Sequence, residues 1–405
     1  MTDRSTPTFG IEEEYFLTDL LSRRIPRQPV EGFAAACQEA LGSLVTREMF
    51  AAQFEVVTPV LHNLQDAREC LSSARRTLAQ VAREFGFGLV AAGTQPLAQW
   101  RQQRPTGVAR YQQIFDDFQI IASRSVLAGL HVHVGVPAEL DRIRIMNSVT
   151  PWLPLLLGLS ASSPFWDGKP SGLMSYRQAV CDEWPRMGIP DHFDSDADYQ
   201  RYVQMLLDTG SIRSSADVWW NIRPAVRYPT LELRIADACP RLDDALCIAA
   251  LFRTMVNYAI NAPRASWIDD PITRVITLEN RWRAKRYGLC GAFIDPATQR
   301  ALPFAEWLGS VLQQLQAHIV PGDEPAVQHA QRLVRDGGSA QAQLRQYQQE
   351  REAGRQHSEA LVAVVDTLMA QTELRDVESR RVSGSPSRRT TTVTRSSCGP
   401  EPLDR

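Results

Sequence analysis

The segment from Phe9 to Leu17 places three consecutive acids inside a run of aromatic and branched apolar side chains. Such a run is typical of a β-strand. Side chains two residues apart on a strand point to the same face, so Glu12 and Glu14 lie side by side, about 7 Å apart along the strand. Two like charges held in this way favour a cation between them. An exposed edge strand with solvated acids is the alternative that this segment alone leaves open.

Composition and charge exclude several classes of protein. The chain has 405 residues, 44% of them hydrophobic, and its 44 basic residues nearly balance 46 acidic ones. Bulk charge therefore indicates neither nucleic acid nor an anionic membrane as a partner. No apolar run reaches the roughly 18 residues that span a bilayer, and the seven scattered cysteines contain no Cys-x-x-Cys pair. We expect a reduced, cytoplasmic protein.

Hydrophobic periodicity predicts mixed strands and helices, followed by helices alone beyond residue 270. Short apolar runs predict strands at 87–92, 125–136, 218–222 and 230–235. Helical spacing begins after Asn63 and recurs at 143–159, 198–207, 241–260, 271–287, 303–318, 324–336 and 339–371. From residue 376 the chain is rich in Ser, Thr, Arg and Pro. We predict one folded domain over residues 1–375 and a disordered tail over residues 376–405.

Two histidines share a face of another apolar strand. His131 and His133 form a His-x-His pair between Leu130 and Val134. The pair alone is equally compatible with two core histidines bonded to backbone carbonyls. The pair indicates a metal site only because acids recur in the same way on other predicted strands.

Further acids lie in strand-like stretches. Glu55 follows Glu48 by seven residues, and Glu232 shares a strand face with Arg234. A surface ion pair is the simple alternative for Glu232 and Arg234. Four strands that each place Glu or His on one face are nevertheless hard to explain as independent accidents. Carboxylates with one imidazole suit Mg²⁺ or Mn²⁺ better than zinc.

The order of these residues resembles the metal and nucleotide site of the glutamine synthetase superfamily. Six motifs between residues 8 and 370 resemble, more closely, the bacterial carboxylate-amine ligases called type 2 glutamate–cysteine ligases. The motifs are Gly10–Glu14, Gly129–Val134, Ser162–Trp166, Trp219–Pro224, Leu231–Arg234 and Glu279–Trp282. The resemblance implies an α+β fold in which a curved, mostly antiparallel sheet carries the site on its concave face and helices pack on its convex face. Residues 1–375 would then be the catalytic domain.

The resemblance also implies residue roles. It assigns one metal ion to Glu14, Glu48 and Glu55, and a second to Glu12, His131 and Glu232. It places His133 and Arg177 near the nucleotide, and Arg223 and Arg234 at the carboxylate substrate and the transferring phosphoryl group. Asn221 departs from the pattern, because relatives commonly carry aspartate there, and an amide cannot help to deprotonate an incoming amine.

The implied reaction joins the side-chain carboxylate of L-glutamate to an amine such as L-cysteine, at the expense of ATP and with Mg²⁺ or Mn²⁺, through an acyl phosphate. The expected assembly is a homodimer. Two alternatives stay open: a non-catalytic nucleotide-binding protein, which Asn221 favours, and a two-metal hydrolase. A hydrolase needs further histidines on strands, whereas three of the four downstream histidines lie on predicted helices.

Overall fold

A computed structural model describes residues 6–375. The predicted tail at 376–405 lies outside the described residues. The strands are β1 (Phe9–Asp19), β2 (Val45–Arg47), β3 (Gln53–Val57), β4 (Phe87–Val90), β5 (Leu130–Gly135), β6 (Phe165–Trp166), β7 (Lys169–Pro170), β8 (Met187–Gly188), β9 (Trp219–Trp220), β10 (Ile222–Pro224), β11 (Thr230–Leu233), β12 (Ala292–Asp295) and β13 (Arg300–Pro303).

The α-helices are α1 (Phe33–Leu41), α2 (Leu64–Glu84), α3 (Ala109–Phe118), α4 (Ile120–Arg124), α5 (Arg142–Val149), α6 (Leu153–Ser160), α7 (Tyr176–Cys181), α8 (Asp196–Asp208), α9 (Leu242–Asn261), α10 (Pro271–Tyr287), α11 (Phe304–Leu315), α12 (Glu324–Asp336), α13 (Ser339–Glu352) and α14 (His357–Thr372). None of the helices within residues 6–375 is both long and apolar enough to cross a membrane.

Seven strands form one antiparallel sheet that is organised around β1. The strand order is β10-β11-β5-β1-β3-β2, and β4 also pairs with β1. The first half of β1 pairs with β5, and its second half, Phe16–Asp19, pairs with β4. On the other edge β3 pairs with residues 12–16. The strand that carries the acids is therefore the centre of the sheet, not the exposed edge that was the simple alternative.

The two faces of β1 have opposite environments, as the two-residue period predicts. Ile11, Glu13 and Tyr15 are buried, whereas Glu12 and Glu14 are partly exposed. Helices cover the buried side, where α2 packs on β4 and α9 packs on β5 and α2. The α+β fold with an antiparallel sheet and helices behind it is thus confirmed.

A buried ion pair joins the sheet to the helical layer. Arg75 of α2 is fully buried, and its guanidinium donates to both carboxylate oxygens of Glu13 at 2.6 and 3.0 Å. The same group donates to the carbonyls of Cys239 and Pro240, just before α9. Tyr15 also donates its hydroxyl to Glu13. Each charge is therefore paired and hydrogen-bonded, as burial requires.

Several predicted helices have the predicted extents, but two are divided in the structure. The helix predicted at 143–159 is α5 and α6, with a 3₁₀ turn at Thr150–Trp152 between them. The helix after Asn63 begins at Leu64, and the Asn63 side chain accepts from the Asp66 amide at 2.9 Å, a typical N-cap. The single helix predicted at 339–371 is instead two helices, α13 and α14. Gly354 adopts a φ of +86° between them, a left-handed conformation that ends the first helix.

Replacing the buried acid of this ion pair tests its contribution to stability. Glu13→Gln leaves the Arg75 charge without a counter-ion in the core, so the free energy of unfolding is expected to fall by about 3–5 kcal/mol. Urea unfolding followed by circular dichroism measures the change. The exposed helical acid Glu69 supplies the control, because Glu69→Gln is expected to change the free energy by less than about 0.5 kcal/mol. Equal effects of the two substitutions would contradict this account.

Candidate active site

Cross-strand pairing brings together acids and histidines that are far apart in sequence. Glu14 lies opposite Glu55 of β3, and Glu12 lies opposite His131 of β5. His133 lies in turn opposite Glu232 of β11. The result is a continuous row of ligand side chains across four strands, on the face that the helices leave open.

Glu48 reaches the row from a turn instead of from a strand. It follows β2, and its amide donates to the carbonyl of Gln53 at the start of β3. The seven-residue spacing to Glu55 is therefore the spacing of a hairpin, in which Thr46 pairs with Glu55. The Glu48 carboxylate accepts from the Met49 amide at 3.0 Å and from the Tyr111 hydroxyl at 3.5 Å.

Within residues 6–375, three sets of ligand atoms lie close enough to hold a metal ion, each with its atoms within 4.8 Å of one another. The sets are Glu14, Glu48 and Glu55; Glu12, His133 and Glu232; and Glu12, Glu55 and His131. The first set is the one that the family resemblance implies. In the second, His133 stands where the resemblance implied His131, and His131 joins Glu12 and Glu55 instead.

The donor set suits a hard divalent ion. Carboxylate oxygens predominate, and each histidine set holds a single imidazole. Nε2 of His131 is buried and forms no hydrogen bond within the described residues, while Glu14 Oε1 lies 3.8 Å from it. A buried nitrogen without a partner, surrounded by carboxylates, is the environment expected of a ligand atom.

Carboxylates crowd one end of the row. Burial and the neighbouring Glu14 raise the pKa of Glu48 to about 8. Burial and the neighbouring Glu48 raise the pKa of Glu55 well above its ordinary value. Protons relieve the repulsion among these acids, and a divalent cation would do so more completely.

The other end of the row is already balanced by positive or hydrogen-bonding groups. Although burial opposes it, hydrogen bonds with His131 and His133 hold the pKa of Glu12 well below its usual range. Burial and then the charge of Arg234 lower the pKa of His131, so that this imidazole is neutral and able to ligate. The difference between the two ends makes the Glu48 end the one that most needs a cation.

Two arginines share Glu232. Arg223 donates its Nε to one carboxylate oxygen at 2.7 Å, and Arg234 donates to the other. Burial acts in the opposite direction, yet Arg234 and Arg223 hold the pKa of Glu232 well below its ordinary value. Arg223 is fixed further by donation to the carbonyls of Ala216 and Val218 at 2.8 and 2.9 Å. The guanidinium groups are thus preorganised at the edge of the ligand row.

A buried serine–aspartate cluster positions Arg177. The members of this cluster were not among the predicted site residues. Asp237 is fully buried and accepts from the Ser163 and Ser175 hydroxyls at 2.7 and 2.8 Å. Arg177 lies 4.0 Å from the same carboxylate and donates to the carbonyl of Arg234 at 3.4 Å. Ser163 lies in the Ser162–Trp166 motif, whereas Asp237 lies outside all six motifs, three residues after Arg234.

Asn221 lies behind the site. It is buried, and its amide nitrogen donates to the Gln178 side chain at 3.2 Å. Its backbone carbonyl accepts from the amides of Arg234 and Ile235. Asn221 is not among the residues that line the cleft. Its side chain therefore contacts α7, and its backbone carbonyl holds the segment that follows β11.

The ligand row forms the floor of an open cleft of about 790 Å³. This volume is within the range of about 300–1,000 Å³ that is typical of small-molecule sites. Besides the acids, histidines and arginines, the cleft is lined by Tyr111 and Ile114 of α3, Trp184 and Trp219. These four side chains were not among the predicted site residues, although Trp219 lies in the Trp219–Pro224 motif.

The antiparallel sheet with helices behind it is a fold that solved ligases share. A solved glutamate–cysteine ligase from Francisella tularensis, in complex with AMP, superposes with a TM-score of 0.69 over 93% of this chain and 91% of that chain, at 11% identity. A bifunctional glutathione synthetase from Pasteurella multocida superposes with a TM-score of 0.66, at 16% identity, over 90% of this chain and 52% of that chain.

Sequence comparison places the chain within a family. Residues 8–363 match the model of Glutamate-cysteine ligase family 2. A relative from Ectopseudomonas mendocina (strain ymp), provisionally named glutamate–cysteine ligase 2, is 68% identical over 367 residues, which cover 91% of this chain and 97% of the relative. A relative of the same provisional name from Pseudomonas entomophila is 44% identical over 90% of this chain and 95% of its own length. The chain belongs to glutamate–cysteine ligase family 2.

The raised pKa of Glu48 predicts how binding of Mg²⁺ depends on pH. Below pH 8 the ion has to displace a proton from Glu48, so its apparent affinity is expected to fall about ten-fold per pH unit for one displaced proton. Millimolar Mg²⁺ should raise Tm, and this increase should be larger at about pH 8.5 than at about pH 6.5. Thermal unfolding at the two pH values measures this difference. Glu48→Gln should weaken the pH dependence without removing it, because the pKa of Glu55 is raised as well. An increase in Tm that is independent of pH would contradict the assignment.

Proposed function

We propose that this protein is an ATP-dependent ligase that joins the side-chain carboxylate of L-glutamate to an amine. With L-cysteine, the amine that the names of its relatives indicate, the products would be γ-glutamylcysteine, ADP and phosphate. The observation that carries the proposal is the set of three overlapping ligand groups on one sheet face, bordered by Arg223 and Arg234. Such a surface suits a triphosphate held by divalent ions.

Activation of the carboxylate is the chemical problem that this site would solve. A carboxylate is a poor electrophile, and transfer of the γ-phosphoryl group of ATP to its oxygen converts it into an acyl phosphate with a good leaving group. Bound Mg²⁺ or Mn²⁺ would neutralise charge on the phosphates. In this proposal the role of the acids Glu12, Glu14 and Glu55 is to hold the ions, with His131 and Glu232. Arg223 and Arg234 stabilise the charge that spreads over the transferring group.

Amide formation completes the proposed reaction. The lone pair of the amine nitrogen attacks the acyl carbon, the C–N bond forms, and the C–O bond to phosphate breaks with its electron pair leaving on phosphate. The amine loses one proton to water. His133 contacts Glu12 at 3.2 Å and the Thr230 hydroxyl at 3.0 Å, which suits a role beside the nucleotide. Arg177, fixed by Asp237, would bind an anionic group of the nucleotide. The homodimer stays a prediction.

Removal of a ligand acid tests the assignment of the site. Glu12→Ala takes one carboxylate out of two ligand groups at once, so the rate of ADP release is expected to fall by at least about 100-fold. A coupled assay for ADP measures the rate, and circular dichroism checks that the protein is folded. Glu39→Ala changes an exposed acid of α1 and should retain the wild-type rate. Normal turnover in Glu12→Ala would refute the assignment.

The requirement for substrates separates the proposed ligase from its alternatives. Phosphate release from ATP should depend on both glutamate and an amine acceptor, because each step consumes the product of the one before it. A nucleotide-binding protein without turnover would release no phosphate, and a hydrolase would act without ATP. A phosphate assay with each component omitted in turn separates the ligase from both alternatives. Release that does not change when glutamate is omitted would argue against the ligase.

A further inference from the structure

Helix α10 carries polar side chains on its inner side and apolar side chains on its outer side. All of its exposed residues are apolar, namely Pro271, Ile272, Val275, Leu278, Trp282 and Tyr287. Of the twelve large apolar side chains that are exposed within residues 6–375, five lie on this one helix. Surface helices normally show the opposite arrangement, with the apolar face toward the core. We define Ile272, Val275, Leu278 and Trp282, which share one face of the helix, as the apolar stripe.

Hydrogen bonds and ion pairs on the inner side fix this orientation of α10. Asn280 is fully buried, and its side chain exchanges two hydrogen bonds with the backbone of Ile294, at 2.6 and 2.8 Å. Arg281 donates to the Asp182 carboxylate at 2.6 Å, and Lys285 pairs with the same carboxylate. Rotation of the helix to bury the apolar stripe would leave these polar groups without partners, so the stripe stays outward.

The apolar stripe lies outside the active site. None of the residues that line the cleft belongs to α10, so a nucleotide or substrate in the cleft does not cover the stripe. The Lys285 ammonium lies 5.3 Å from the centre of the Trp282 ring, and yet Trp282 is 46% exposed. Small molecules bind in concave sites, whereas the outer face of a helix is convex. A contiguous apolar surface of this shape therefore indicates contact with another macromolecule.

Charges along one edge of the apolar stripe make it complementary to itself. Glu279 and Arg283 lie one turn apart on this edge and pair at 2.7 Å, and both are partly exposed. Arg283 is held in place by donation to the Ala292 carbonyl at 3.0 Å. A two-fold axis perpendicular to α10 brings the same edge of two copies together in opposite directions. With the axis near residue 281, Glu279 lies opposite Arg283 of the partner subunit, and the reverse contact follows by symmetry.

We infer that the outer face of α10 is the surface through which two copies of this chain form a dimer. The two α10 helices pair antiparallel, with Trp282 beside the two-fold axis, and the apolar stripe of each subunit is removed from water by the other. Each Glu279 carboxylate then lies between its own Arg283 and Arg283 of the partner subunit. The geometry thus gives the predicted homodimer a defined surface and a defined direction of pairing.

The oligomeric state of the full-length protein tests the surface. Sedimentation equilibrium gives the dissociation constant of the dimer, and circular dichroism checks the fold of each variant. Trp282→Glu places a charge in the middle of the stripe and should raise this constant by at least about ten-fold. Met205→Glu is the matched control, because Met205 of α8 is 48% exposed on a helix outside the stripe, and it should leave the constant unchanged.

Two results would overturn the assignment of this surface. A native protein that is monomeric at micromolar concentrations would show that a molecule other than a second copy covers the stripe. An unchanged dissociation constant in folded Trp282→Glu would show that the dimer forms elsewhere.

Reversal of the edge charges tests the direction of pairing. In Glu279→Arg, and likewise in Arg283→Glu, positions 279 and 283 of both subunits carry the same sign, so each variant should dimerise at least about ten-fold more weakly. An equimolar mixture of the two variants should form heterodimers, because one subunit then presents only positive and the other only negative groups at these positions. The double variant, in which the two charges are exchanged, should recover the native dissociation constant. A mixture that stays as monomeric as its components would overturn the antiparallel pairing.

Discussion

Repulsion among carboxylates is the constraint around which this structure is built. Glu12, Glu14, Glu48 and Glu55 converge on one face of a sheet, where burial raises the pKa of Glu48 and Glu55. Such an arrangement opposes folding unless a proton or a cation neutralises it. The sheet stays folded despite this repulsion because helices α2 and α9 pack on its other face and anchor β1.

Strand β1 thus serves two purposes, because side chains alternate between its two faces. Glu13 points to the helices and pairs with Arg75, while its neighbours on either side point to the cleft. Neighbouring strands repeat this division, since Val132 and Val134 are buried while His133 faces the cleft. A rigid sheet with ligands on four of its strands keeps the ligand row in a fixed arrangement.

The alternation of side chains along strands and the capping residues of helices made much of this structure predictable from sequence. The pairing of strands was not predictable in this way. Alternation alone placed Glu12 with Glu14 and His131 with His133, and the side chain of Asn63 marked the start of α2. Which histidine meets Glu232 depends on the register of β5 with β11, a long-range property that local pattern does not encode. The break at Gly354 was missed because helical composition continues on both sides of it. Helix α3 was missed although its apolar residues follow helical spacing.

Counting bound ions tests the central claim most directly. Titration of Mn²⁺ into the protein with a non-hydrolysable ATP analogue, followed by electron paramagnetic resonance of the free ion, gives the number bound per chain. Three overlapping ligand groups predict at least two ions, with at least one lost in Glu14→Gln. Fewer than two ions in the native protein, or an identical number in Glu14→Gln, would contradict the account.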